Sequence, residues 1–126
     1  MREAQQVIVV GNDLEQLLPG LFSSLEAQGL HVVKARSGAE FEALLQEHPK
    51  VTVIAYESGH SNMARRVLEA VAHAQRKVPV VVVAERSNLD EYYELMSEGA
   101  YDYFDLRDGT EPIERAVLWA AGTRAA

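Results

Sequence analysis

The chain contains no cysteine, one tryptophan and four prolines in 126 residues. Without cysteine it forms no disulfide, binds no metal through thiolate and has no thiol nucleophile. Long apolar runs are also missing. The opening MREAQQ leads into only Val7-Ile8-Val9-Val10, far short of the roughly 20 residues of a membrane span or the roughly 7–15 of a signal-peptide core. A cytoplasmic protein, with no membrane attachment, is the expectation. Positive charge is scarce as well. Twelve Lys and Arg against nineteen Asp and Glu leave a net charge of −7. Arg65-Arg66 and Arg76-Lys77 are short pairs, not a basic stripe. An acidic surface repels phosphate backbones, so no direct contact with nucleic acid is expected.

The usual signatures of catalysis are absent too. No glycine-rich nucleotide loop follows an apolar run, and Gly11 alone does not make a phosphate cradle. His31, His48, His60 and His73 lack the spacing of metal ligands. His60 shares one loop with Glu57 and Ser58, but no G-x-S-x-G elbow accompanies them. The chain is therefore not expected to be an enzyme.

What is present is an alternation. Hydrophobic residues make up 48% and charged residues 25%, which suits one folded domain of this length. Val7–Val10, Val51–Ile54 and Val78–Val83 are β-branched and apolar on both faces, as buried parallel strands are. His31–Lys34 and Tyr101–Phe104 are weaker strands. Between them lie helical periodicities. The first starts at Asp13, with Gln16 as a capping-box partner, and stops at Gly29; Pro19 inside it predicts a kink or a shifted start. Others span about Ala39–Glu47, Ser61–Arg76, Asn88–Ser97 and Thr110–Ala121. Five β units each followed by a helix predict a (βα)5 domain with helices on both faces of a parallel sheet. In such sheets the working site lies at the carboxyl ends of the strands. Those ends are residues 11–13, 55–60, 84–88 and 105–108.

In order along the chain, Val7–Asp13, Gly29–Leu44, Pro49–Ala55, Pro79–Ala84 and above all Gly99-Ala100-Tyr101-Asp102-Tyr103-Phe104 resemble the receiver domain of bacterial response regulators. The resemblance covers nearly the whole chain. It implies a flavodoxin-like doubly wound sandwich with a five-stranded parallel sheet of order 2-1-3-4-5. It also implies a chemistry. A carboxylate ending the third strand accepts a phosphoryl group, an acidic pair after the first strand holds Mg²⁺, a Ser/Thr after the fourth binds a phosphoryl oxygen, and a lysine after the fifth neutralises the charge.

Matched position by position, those groups are missing. The acceptor position is Ala55. The acidic pair is Gly11 and Asn12, with Asp13 read as the following helix cap. The hydroxyl position is Ala84, the lysine position Leu106, and the proline after it Arg107. The expectation is a degenerate, or pseudo-receiver, domain with Mg²⁺ binding lost or weak and no other cofactor. Glu57, two residues beyond Ala55, is expected to be a solvated loop side chain; the alternative is a fixed negative charge that holds an active-like shape. Tyr103 matches the aromatic residue that swings inward on activation. With alanine at 84 it has room to stay inward, the other reading being a core-packed strand tyrosine.

Interaction surfaces follow. Tyr92, Tyr93 and Met96 crowd the fourth predicted helix. On the fifth, Ile113, Ala116, Val117 and Ala120 make the inward stripe, and Leu118 and Trp119 fall off it. With Glu91, Glu94, Glu98, Arg107 and Arg115 as flanking charges, they outline a contact face for a homodimer or for an effector domain of the same protein. Residues 1–122 are read as the domain and 123–126 as a tail or the start of a linker to an output domain. The expected role is phosphorylation-independent signal transduction in a transcription regulator. The alternatives are a small-ligand sensor using a vacated pocket at Gly11, Ala55 and Ala84, or a receiver phosphorylated on Glu57 or Asp13.

Overall fold

The computed structural model describes residues 5–59 and 61–122. The elements run β1 (Gln5–Val10), α1 (Leu14–Leu17), α2 (Leu21–Ala27), β2 (Leu30–Ala35), α3 (Gly38–Glu47), β3 (Val51–Glu57), α4 (Met63–His73), β4 (Val80–Ala84), α5 (Leu89–Ser97), β5 (Asp102–Asp105), a 3-10 turn (Leu106–Asp108) and α6 (Thr110–Ala120). All strand pairs are parallel, in the order β2-β1-β3-β4-β5. This is the doubly wound, flavodoxin-like sheet expected. Among the described residues no helix is long and apolar enough to cross a membrane.

Strand alternation sends side chains into two cores, one on each face. Ile8, Val10, Val53, Ala55, Val80 and Val82 pack with Phe41, Leu45, Val67 and Val71 of α3 and α4. Val7, Val9, Ile54, Tyr56, Val81 and Val83 pack with Leu14, Leu21, Leu25, Ile113 and Val117 on the other side. The central strands are buried on both faces, which explains their unbroken apolar character. Side chains also fix the helix ends. Ser37 accepts from Glu40 N–H (3.1 Å), and Asn88 accepts from Glu91 N–H (2.7 Å). The Arg76 guanidinium donates to the carbonyl of Leu45 in the last turn of α3 and to those of His48 and Pro49 just past it.

The N-terminal helix differs from expectation. Pro19 breaks it into α1 and α2. Proline bars the preceding residue from helical backbone, and Leu18 accordingly lies at φ −126°, ψ 74°. The Asp13–Gln16 capping box does not form. Asp13 is the N-cap but sits at φ +73° with no side-chain cap bond, and only its backbone carbonyl receives Gln16 and Leu17 N–H (3.1 and 2.9 Å). β3 runs on past Ala55, so Tyr56 and Glu57 are strand rather than loop.

Candidate functional site

The register brings the matched positions together at the carboxyl edge of the sheet. Val10 is opposite Ala55, Ala55 opposite Val82, Glu57 opposite Ala84, and Ala84 opposite Asp105. Ala55 is 0% exposed and Ala84 only 1%, so neither opens onto solvent as the wall of a vacated pocket would. Gly11, the next residue after Val10, has φ +120°. A Cβ built on it would lie 2.9 Å from Tyr56 Cβ and 3.0 Å from Tyr56 O. Both atoms belong to the β3 backbone or its first side-chain carbon and cannot swing away. An aspartate therefore does not fit at 11 without moving the strand. Gly11 instead lines a polar cleft of about 380 Å³ with Asn12, Asp13, Lys34 and Arg36, in which Lys34 is paired with Glu15 at 2.8 Å.

This donor set does not suit Mg²⁺, which requires several oxygen ligands in near-octahedral array. Gly11 and Ala55 bring no side-chain oxygen. Among the described residues no three His, Asp or Glu side chains gather so as to hold a metal ion. His60 lies outside the described residues. His31 and His73 are exposed, and His48 is half-buried.

Glu57 overturns its expectation. It is 6% exposed and lies within β3. One carboxylate oxygen accepts from Ser61 Oγ (2.6 Å), the other from Ala64 N–H (2.9 Å). Asn62, the N-cap of α4, makes no side-chain cap bond. Glu57 does that work from the strand, on the same face as Ala55, where an anion also complements the helix N-terminus. Its carbonyl accepts from Glu85 N–H (2.8 Å), and the Glu85 carboxylate receives Gly59 N–H (2.8 Å). The loops after β3 and β4 are thus tied to each other.

A second anionic centre, not singled out in the sequence, ends β5. The Asp105 carboxylate accepts from Ser87 N–H (2.9 Å) and Ser87 Oγ (2.8 Å), and from Arg107 N–H (2.7 Å), Nε (2.9 Å) and Nη2 (3.0 Å). The Asp108 carboxylate in turn receives Asp105 N–H at 2.9 Å. The Arg107 guanidinium, then Ser87 N–H, hold the Asp105 carboxyl far below the usual carboxylate range. Asp-x-x-Asp across a strand end is a readable capping signal, but the bond to Ser87 is not. Leu106, at the lysine position, packs against the core on the α6 side.

Tyr103 answers to neither expectation alone. Its ring is half-buried against the α3–α4 core. Its hydroxyl donates to Glu91 Oε1 (2.5 Å) and accepts from Asn88 N–H (3.3 Å). Burial first, then the bond to Glu91, raises its pKa above the ordinary tyrosine value. Tyr92 stacks edge-on against both Tyr103 (5.8 Å between centroids) and Tyr93 (5.3 Å).

The residues assigned to a contact face differ in exposure. Tyr93 is 63% and Trp119 54% exposed, and Leu89, Tyr92 and Tyr101 are also exposed. Met96 and Leu118, by contrast, pack inward against the two cores. The flanking charges are engaged within the chain: Glu91 with Tyr103, Glu94 and Glu98 with Arg65, Arg107 with Asp105, and Arg115 with Glu111.

No protein-family model and no curated protein sequence matches the chain. Solved structures do. The signal receiver domain of the response regulator NarL from Mycobacterium tuberculosis is 21% identical, with a TM-score of 0.78 over 98% of this chain and 100% of that one. FixJ-N is 19% identical, with a TM-score of 0.76 over 100% of this chain and 99% of that one. The signal receiver domain of a LuxO repressor protein from Vibrio parahaemolyticus reaches a TM-score of 0.81 at 12% identity, over 95% of this chain and 92% of that one. With that sheet order and those neighbours, the chain has the fold of response-regulator receiver domains.

Proposed function

We propose that this chain is a degenerate receiver domain that signals by protein contact and not by phosphoryl transfer. The observation that carries the reading is Gly11. At the position of the first missing acid an added Cβ would meet Tyr56 Cβ at 2.9 Å and Tyr56 O at 3.0 Å, so a carboxylate there requires β3 to move. The replacements at Ala55, Ala84 and Leu106 support it, because acceptor, hydroxyl and cation are lost together. Burial of Ala55 and Ala84 speaks against a ligand seated between them. Glu57 is a poor substitute acceptor, since both its oxygens are engaged, one by Ala64 N–H in the first turn of α4 and the other by the Ser61 hydroxyl.

On this reading residues 1–122 form the receiver-like module of a cytoplasmic transcription regulator, and 123–126 lie outside the described residues. The exposed Leu89 and Tyr93 of α5, Tyr101 just before β5 and Trp119 of α6 are the contact residues, meeting a second copy or an effector domain of the same protein. One structural neighbour, the beryllofluoride-activated NtrC4 receiver, is described as a dimer. Incubation with a small phosphodonor and Mg²⁺, followed by intact mass, tests the proposal. An unmodified mass is expected. A stable adduct of one phosphoryl group, on Glu57, Asp13 or elsewhere, overturns it. Light scattering of wild type and Trp119→Ala tests the face: a dimer lost in the variant supports it, and a monomer in both removes it.

A further inference from the structure

We infer that the Asp105 carboxylate is a built-in latch that fixes the β4–α5 loop, and with it the α5–β5–α6 face, without any phosphoryl group. The consequence for signalling rests on the receiver reading above; the latch itself rests only on geometry. Ser87 lies on an exposed loop three residues past β4. Its N–H and hydroxyl both end on the same Asp105 oxygen, at 2.9 and 2.8 Å. Arg107 clasps that carboxylate through three donors, keeping it ionised and aimed. Charge-assisted bonds of this kind are about twice as strong as neutral ones.

The next residues are pinned from the same strand. Tyr103 takes Asn88 N–H and Glu91 on its hydroxyl, so β5 holds both the loop and the first turn of α5. On the other side, Glu85 ties the start of the loop to Glu57 and Gly59. A loop held at residues 85, 87, 88 and 91 cannot take a second position unless several of these bonds break together. An external anion that drew the loop inward would be doing what Asp105 already does. The chain therefore carries its own anion at the end of β5, and presents one form of the face.

Residue-resolved amide exchange tests this. In the wild type, Ser87 N–H is expected to exchange at least about tenfold more slowly than in an unstructured peptide, although the loop is exposed. In Asp105→Asn that protection falls by about tenfold while the amides of Val53, Ile54 and Val82 stay protected. Rapid exchange at Ser87 in the wild type, or unchanged exchange in the variant, overturns the latch. If the core amides show that Asp105→Asn unfolds, Ser87→Ala carries the test, since it keeps the carboxylate and Arg107 and removes only the hydroxyl. Exchange at residue 87 about threefold faster is then expected, and an unchanged rate overturns the inference. The two readings fail separately. A phosphoryl adduct would overturn the proposed function and leave Ser87 protected, whereas an unlatched Ser87 leaves the mass measurement as it was.

Discussion

Replacing Gly11 by alanine is expected to destabilise the protein well beyond the same change at Gly20. The two glycines share a backbone feature and differ in surroundings, so the pair separates strain from contact. Gly11 lies at φ +120° and Gly20 at φ +91°. A side chain at either is strained by roughly 1–3 kcal/mol. Around Gly20 an added Cβ meets nothing within 4 Å, whereas at Gly11 it meets Tyr56 Cβ at 2.9 Å and Tyr56 O at 3.0 Å. Relief requires β3 to shift away from β1 where Val10 is paired with Ala55, in a sheet packed on both faces. Overpacking of that kind costs about 1–3 kcal/mol more. Gly20→Ala should therefore cost about 1–3 kcal/mol, and Gly11→Ala about 2 kcal/mol more than that. With a urea m-value of about 2 kcal/mol per molar, the two midpoints should differ by about 1 M. Equilibrium urea unfolding followed by Trp119 fluorescence measures both. Equal midpoints would refute the claim that the first acidic position is sterically closed, and the proposed function would lose its main support.

Glu57→Ala should cost about 2–3 kcal/mol in urea unfolding, because the Ala64 N–H at the start of α4 loses its acceptor and the Ser61 hydroxyl keeps only the longer bond to the Ser58 carbonyl; a loss below about 0.5 kcal/mol would show that α4 does not depend on the cap. The difference titration between wild type and Tyr103→Phe, read by phenolate absorbance, should have its midpoint above the free-tyrosine value of about 10. Its raised pKa gives Tyr103 a contribution to stability that is complete below about pH 10 and is lost as pH rises through the folded value; a midpoint at or below 10 contradicts the buried bond to Glu91. The depressed Asp105 pKa has the opposite sense: its contribution is complete above the ordinary carboxylate pKa of about 4 and fades only as pH falls through the folded value, so Ser87 N–H protection should be flat from pH 7 down to about pH 5, and a loss within that range contradicts the clasp by Arg107. Ala55→Asp should neither accept phosphoryl nor be tolerated. A carboxylate at that fully buried position, with Leu106 where a lysine would stand, lacks a counter-charge and should cost about 3 kcal/mol or more. Its raised pKa should make that cost grow as pH rises above about 4, so a pH-independent, wild-type stability would refute it.

The strands and their order were legible because the information is local and redundant. Val7–Val10, Val51–Ile54 and Val80–Val83 are β-branched on every position or nearly so, and only a strand buried on both faces uses such a run. Pro19 was legible as a disturbance, though its consequence, two short helices, depended on Leu18 leaving helical backbone. The misread residues share a different property. Asp13 looks like a cap by residue type, but its left-handed backbone turns the side chain from the N–H groups it would serve. Glu57 looks solvated because isolated carboxylates usually are. Its burial depends on an amide seven residues away that is brought back by the turn into α4. Asp105 is tied to Ser87 across 18 residues and a strand crossing, a pairing that no periodicity encodes. The strand-end positions could be named from the sequence; the hydrogen bonds that now occupy the region could not.

On the proposed reading, those bonds bear on why a site without receiver chemistry should keep its shape. Simple loss of Ala55, Gly11 and Leu106 partners would leave the surrounding loops with fewer bonds and more freedom. The loops here are instead cross-tied: Glu57 to α4, Glu85 to the loop after β3, Asp105 to Ser87, Tyr103 to the start of α5. A receiver that switches needs two loop arrangements of similar free energy, so that one ligand's binding energy can move the balance. Each internal bond favours one arrangement, and at about 1 kcal/mol apiece, more for the charged ones, a handful shifts such a balance by several powers of ten. On the receiver reading this trades responsiveness for preorganisation. The ordering cost of the α5–β5–α6 face is met on folding and not on binding, so a partner meets Tyr93 and Trp119 on a surface that need not be rearranged. On the same proposed reading, control of such a module lies in the amount of protein or in competition for its face, and not in a covalent mark on the strand ends.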